Sequence, residues 1–251
     1  MLTSVRSLMA ATVLAGCALT ATPALADSPV SLSANVALVT DYRFRGIGLS
    51  GGDPAIQGGI DLSTTPGFYV GTWASSINSP DNAYGDMELD LYGGWSGTLT
   101  DGLDADVGLY WYVYPTNVAP LAASVTGGAD YYEIYGSLSP SFGPVSTTFG
   151  INYAPSQDNL DFGSGKKDNL YLYGNADIAI PMTPLTVSGH LGYTDGSLTY
   201  TSDSKAWDYS IGASVSFMEH FSLGVSYIGV DGPKINGVTD DTVVGTLSAS
   251  F

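Results

Sequence analysis

From Ser31 to Phe251 the chain returns again and again to one pattern: runs of about ten residues, bounded by turn residues, in which apolar and polar side chains alternate. A period of two sends successive side chains to opposite faces of a strand, so each run carries one apolar and one polar face. In residues 31–44, Leu32, Ala34, Val36, Leu38, Tyr42 and Phe44 share a face, and Ser31, Ser33, Asn35, Asp41 and Arg43 share the other. A soluble strand averages about five or six residues, and about 9–11 suffice to cross a bilayer. This run is longer than either.

Similar runs occupy residues 55–64, 67–78, 85–97, 103–114, 130–139, 144–154, 169–180, 185–195, 207–217 and 220–229, and a last one ends at Phe251. Ile56, Ile60, Met87, Leu91, Val107, Trp111, Ile134, Phe149, Leu191, Ile211 and Leu223 stand on apolar faces, with acids, serines and tyrosines opposite. Residues 67–78 are mixed on both faces and take no assignment. The connections alternate between short and long in a single phase. Thr65-Pro66, residues 97–102, 140–143, 181–184 and 218–219 are short; residues 46–54, 78–84, 115–129, 155–168, 195–206 and 230–241 are longer. The expected fold is all-β: an antiparallel transmembrane β-barrel of about twelve strands, with short periplasmic turns, longer extracellular loops and both termini periplasmic.

The final run alternates from Val243 through Gly245, Leu247 and Ala249 to Phe251, the last residue. A terminal strand closing on Phe resembles that of bacterial outer-membrane barrels, which implies reading by the barrel assembly machinery. Composition agrees. Only 12% of residues are charged against 32 Gly and 17 Tyr, about half the charge of an average globular domain, and charge on a lipid-facing wall is costly. Aromatic residues near run ends (Tyr42, Phe44, Trp95, Tyr153, Tyr193, Phe217, Phe221, Tyr227 and Phe251) suit girdles at the lipid–water boundary. The formal charge of −17 excludes a nucleic-acid partner.

Residues 1–26 read as a cleaved signal peptide: Arg6, an apolar stretch from Leu8 to Leu19, and Ala24-Leu25-Ala26 before Asp27. Residues 27–251 are then a single barrel domain exported through the periplasm, and losing Arg6 takes its formal charge to about −18. Cys17, the sole cysteine, lies in Leu14-Ala15-Gly16-Cys17, a sequence resembling a lipidation box. The discarded-leader reading is preferred, because a barrel needs no lipid anchor and a second cleavage site follows.

Residues 36–77 contain DYRFRGIGLS, DPAIQGGIDL and GFYVGTWAS. This combination resembles the start of the TorF-like family of outer-membrane porins of Gram-negative bacteria. The resemblance implies an outer-membrane porin embedded among lipid and lipopolysaccharide. It implies no substrate and no site residues.

Candidate pore-lining residues come from the polar faces: Asp41, Arg43, Arg45, Asp61, Glu88, Asp90, Asp104, Asp106, Tyr110, Tyr112, Glu133, Asp177 and His190. Two readings stand side by side. Arg43 and Arg45, at the outer end of the first strand, form one half of a transverse field opposite the acids; or they pair with Asp41 or Asp61 inside a plugged lumen. His190 and His220 are the only histidines; His220 falls in a short turn and His190 stands alone on a polar strand face with Ser188 near it, so the expected protein is not an enzyme. No cofactor or metal site is indicated. The expected function is passive diffusion of small polar solutes or ions with cation preference, the alternative a closed or plugged barrel with a structural or adhesive surface role.

Overall fold

A computed structural model describes residues 29–78, 84–116, 128–162 and 165–251. The predicted leader and Cys17 lie outside these residues. The wall begins with β1 (Val30–Val39) and then skips a small hairpin, β2 (Arg43–Phe44) and β3 (Ile47–Gly48). It continues through β4 (Ala55–Thr64), β5 (Phe68–Ser76), β6 (Met87–Thr100), β7 (Leu103–Val113), β8 (Tyr131–Phe142) and β9 (Val145–Ala154). It ends with β10 (Asn169–Ala179), β11 (Leu185–Gly196), β12 (Lys205–Phe217), β13 (Phe221–Val230) and β14 (Thr242–Ser250). Each wall strand pairs antiparallel with the next, and β1 pairs with β14, so twelve strands close into a barrel. The closing register sets Val36 opposite Ala249 and Leu38 opposite Leu247. Closure leaves no unpaired edge, which is what a sheet in hydrocarbon requires.

The faces follow the alternation. Leu32, Ile211 and Phe149 are 70%, 63% and 61% exposed on the outside, while Tyr110, Tyr112, Tyr131 and Tyr171 fill the inside. This inverts the arrangement of a soluble domain. The unassigned run resolves as β5, with Phe68 and Val70 outward and Tyr69 and Ser75 buried inside. Its pattern was blurred because Gly71 and Ala74 mark neither face and Trp73 turns inward against Tyr42.

The turns alternate as the loop lengths predict. At the short-turn rim, exposed Phe68, Phe142, Phe217, Phe221 and Phe251 form one aromatic belt. At the long-loop rim, Trp111, Tyr132, Tyr153, Trp207 and Tyr227 form another.

The first strand departs from expectation. The wall strand stops at Val39, and the Thr40 hydroxyl accepts from the Gly245 amide while the Thr40 amide donates to the Gly245 carbonyl. Residues 41–50 then leave the wall and fold inward. Tyr42 and Phe44, expected on the lipid face, pack inside against Trp73 and Tyr112, with ring centroids 5.5 and 5.6 Å apart. Asp41, Arg43 and Arg45, expected on the polar face of the first wall strand, belong to this inserted segment. The alternation continues through Phe44 because β2 is also extended; period alone cannot say where a strand loses its wall partner.

Candidate functional site

The inserted hairpin turns on Arg45 and Gly46, whose φ angles are 50° and 78°. Two positive φ values belong to the tight hairpin turn whose twist matches its strands. Gly46 is required there for space as well, since a Cβ would lie 2.7 Å from that of Val230 in the wall. Arg45 has no glycine's freedom, and its left-handed backbone costs about 1 kcal/mol. Its side chain explains the choice. It donates to both carboxylate oxygens of Glu133 on β8, at 2.9 and 2.6 Å, and its guanidinium lies 4.2 Å over the ring of Tyr171. Glu133 is saturated by Tyr112 at 3.3 Å and Asn152 at 3.1 Å.

Arg43 ties the same hairpin to the opposite side. Its Nε donates to Asp41 at 2.6 Å, and its remaining nitrogens donate to the Val238 and Asp240 carbonyls and to the Asp240 carboxylate. The Ser50 hydroxyl also donates to Asp41. Of the expected partners, Asp41 pairs with Arg43, whereas Asp61 lies apart and accepts from Tyr92 at 2.6 Å. Arg45 takes Glu133 on β8, a partner 88 residues away that the inward fold of the hairpin brings into reach.

The other candidates line the inner wall. Asp106 accepts from Tyr69, and Asp104, near the short-turn rim, accepts from Thr98. Asp177 accepts from Ser188. His190 Nε2 lies 2.8 Å from Asp208 and its Nδ1 2.6 Å from the Asn175 oxygen. Glu88 and Asp90 follow one another on the inner face of β6, touched by the hydroxyls of Tyr42 at 3.4 Å and Tyr110 at 3.0 Å. Tyrosines tile the wall between these groups: Tyr92 stacks on Tyr110 at 5.1 Å, and Tyr112 on Tyr131 at 4.5 Å.

Asp208, Tyr171, Asn152 and Asp240 are part of this interior and were absent from the sequence-based candidates. Asp208 shares parity with Ser210 and Ser214, so extending that face by one step would have found it. Asp240 sits in a loop and had no periodic signal.

The Gcw_chp family, described as a bacterial protein of unknown function, matches residues 23–251. The chain belongs to that family. No curated protein matches the family member significantly. Among solved structures, the NanC porin is similar at 11% identity and a TM-score of 0.56, covering 88% of this chain and 99% of its own. An outer-membrane channel from Pseudomonas putida F1 is similar at 11% identity and a TM-score of 0.53, covering 91% of this chain and 96% of its own. At such identities the likeness is one of fold: this Gcw_chp member is built as outer-membrane barrels are.

Proposed function

We propose that this protein is a non-enzymatic outer-membrane channel for small polar solutes or ions, with a preference for cations. One observation carries the reading: a closed wall, apolar outside, encloses a polar interior in which inward-facing acids outnumber the two arginines. A low-dielectric wall focuses such a field onto the lumen, and acidic linings favour cations. The fold shared with the NanC porin and the Pseudomonas channel supports it, as does the resemblance of residues 36–77 to TorF-like porins. In this reading the long loops face outward from the cell, the short turns face the periplasm, and Asp41, Arg43, Arg45, Asp61, Glu88, Asp90, Asp104, Asp106, Tyr110, Tyr112, Glu133, Asp177 and His190 line the path. Purified protein in planar bilayers should conduct, and a KCl gradient should give a reversal potential of cation sign. An anion-selective current would reject the selectivity.

The ion-paired hairpin favours a second reading, a plugged barrel with a structural or adhesive role at the cell surface. Absence of conductance from correctly folded barrels would select it.

A further inference from the structure

The interior acids are not equally provided for. Six basic residues remain after the leader: Arg43, Arg45, Lys166, Lys167, Lys205 and Lys234. All six lie within the described residues, and each is already engaged by an acid. Arg43 holds Asp41 and Asp240, and Arg45 holds Glu133. Lys166 and Lys205 meet Asp195, Lys167 bridges Asp158 and Asp161, and Lys234 holds Asp241. His190 faces Asp208. Glu88 and Asp90 receive no cation from the described chain, although they are 1% and 0% exposed.

Each uses one oxygen to accept from a tyrosine. Glu88 Oε2 and Asp90 Oδ1 are buried without a hydrogen-bond partner. As alternate residues of one strand face, Glu88 and Asp90 have Cα atoms about 7 Å apart along β6, and both side chains enter the barrel from the same wall. Two buried carboxyls without counter-charge are relieved either by taking up protons or by a cation that competes with those protons for the vacant oxygens.

We propose that Glu88 and Asp90 form a binding site for a protonated amine entering from the long-loop mouth. The surroundings choose among cations. Calcium needs about six to eight oxygen ligands, and among the described residues no three His, Cys, Asp or Glu side chains converge as a metal cage. An alkylammonium carries three N–H donors, enough to serve both vacant oxygens, and is attracted by aromatic faces. Tyr42 and Tyr110 touch the two acids directly, and Tyr131 on β8 stands opposite Tyr112 and stacks on it at 4.5 Å. Tyr112, on β7, stands opposite Asp90 in the register. Carboxylates on one strand, enclosed by tyrosines of β7, β8 and the inserted segment, make an ammonium cage. The proposal rests on the channel reading only for how the amine arrives.

The test is binding to the folded barrel in detergent, at constant ionic strength, with n-butylammonium, tetramethylammonium, potassium and calcium chlorides. Butylammonium should raise the unfolding midpoint by at least about 2 °C, since a ligand that binds only the folded state stabilises it; potassium should not. Glu88→Gln with Asp90→Asn should abolish the response and leave the unliganded barrel at least as stable, because two uncompensated charges are gone. Should that variant not fold, Asp90→Asn alone is scored by the same shift. No amine response, an equal response in the variant, or a larger response to calcium overturns the site. Bilayer conductance separates the two claims: current without amine binding sinks only the site, and amine binding without current sinks only the channel.

Discussion

Arg45 and Glu133 stand 88 residues apart and meet inside the barrel through two hydrogen bonds of 2.9 and 2.6 Å. They meet because the hairpin that follows β1 leaves the wall and folds across the interior to β8. The pair anchors the tip of the inserted hairpin to β8, and the strain at Arg45 is held in place by it. A strained turn at the end of an ion-paired segment is the arrangement by which a first loop can narrow a lumen.

Breaking that pair from one side should be costly. Arg45→Ala should destabilise the barrel by about 3–5 kcal/mol, because wholly buried Glu133 is left without its counter-charge. Replacing both partners, as Arg45→Met with Glu133→Met, should recover most of the loss. Denaturant titration of the folded barrel measures both; equal losses in the single and double variants would show that the pair adds nothing beyond packing.

Phe251 is held on both sides of β14. Its backbone exchanges hydrogen bonds with Ala34 at 2.9 and 3.1 Å, and its ring stacks on His220 at 5.4 Å. Deleting Phe251 should lower the amount of heat-modifiable folded protein in outer membranes. Unchanged yield would remove the terminal aromatic from any role in assembly.

Loop phase gives a topological prediction. Ser202, exposed in the β11–β12 loop, and Met182, exposed in the β10–β11 turn, lie at opposite rims. On intact cells a cysteine at position 202 should react with a membrane-impermeant thiol reagent, and one at 182 should react only after lysis. The reverse pattern inverts the orientation.

Selectivity should respond to Asp104 and Asp106, two acids at the short-turn end of β7. Asp104→Asn with Asp106→Asn should reduce cation preference, read as a smaller reversal potential under a KCl gradient. The difference should fade with salt, as the screening length drops from about 10 Å at 0.1 M to about 3 Å at 1 M. An unchanged potential at low salt would place the selective step elsewhere.

The β13–β14 loop should loosen in acid. Asp241 accepts from Lys234 at 2.6 Å and from Tyr227 at 3.0 Å. The Lys234 hydrogen bond, seconded by Tyr227, holds its carboxyl below the usual carboxylate range. A depressed folded-state value stabilises above the ordinary carboxylate pKa, and that contribution is lost as pH falls through the depressed one. The effect is small, about 0.2–1 kcal/mol for a surface pair. Amide exchange across residues 231–241 should therefore rise, after correction for intrinsic rates, below about pH 4, and Lys234→Met should weaken the dependence.

What the chain's order of residues determined by itself is the wall. Alternation decides which side chains face lipid, because a strand's geometry is local, and Leu32, Ile211 and Val243 stand outside as their parity requires. The count of strands, the phase of the loops and the acid-bearing faces of β6, β7 and β8 follow from the same local rule. The interior beyond the wall was decided only by tertiary structure. Residues 41–44 alternate like a wall strand yet turn inward, because extended backbone looks the same whether its neighbour is a partner strand or a lumen. Arg45 could not be matched to Glu133, nor Arg43 to Asp240, since long-range pairing depends on where closure brings distant strands. The isolation of Glu88 and Asp90 is of the same kind: that six cations were present could be counted in the sequence, but that every one of them is committed elsewhere is a property of the closed barrel.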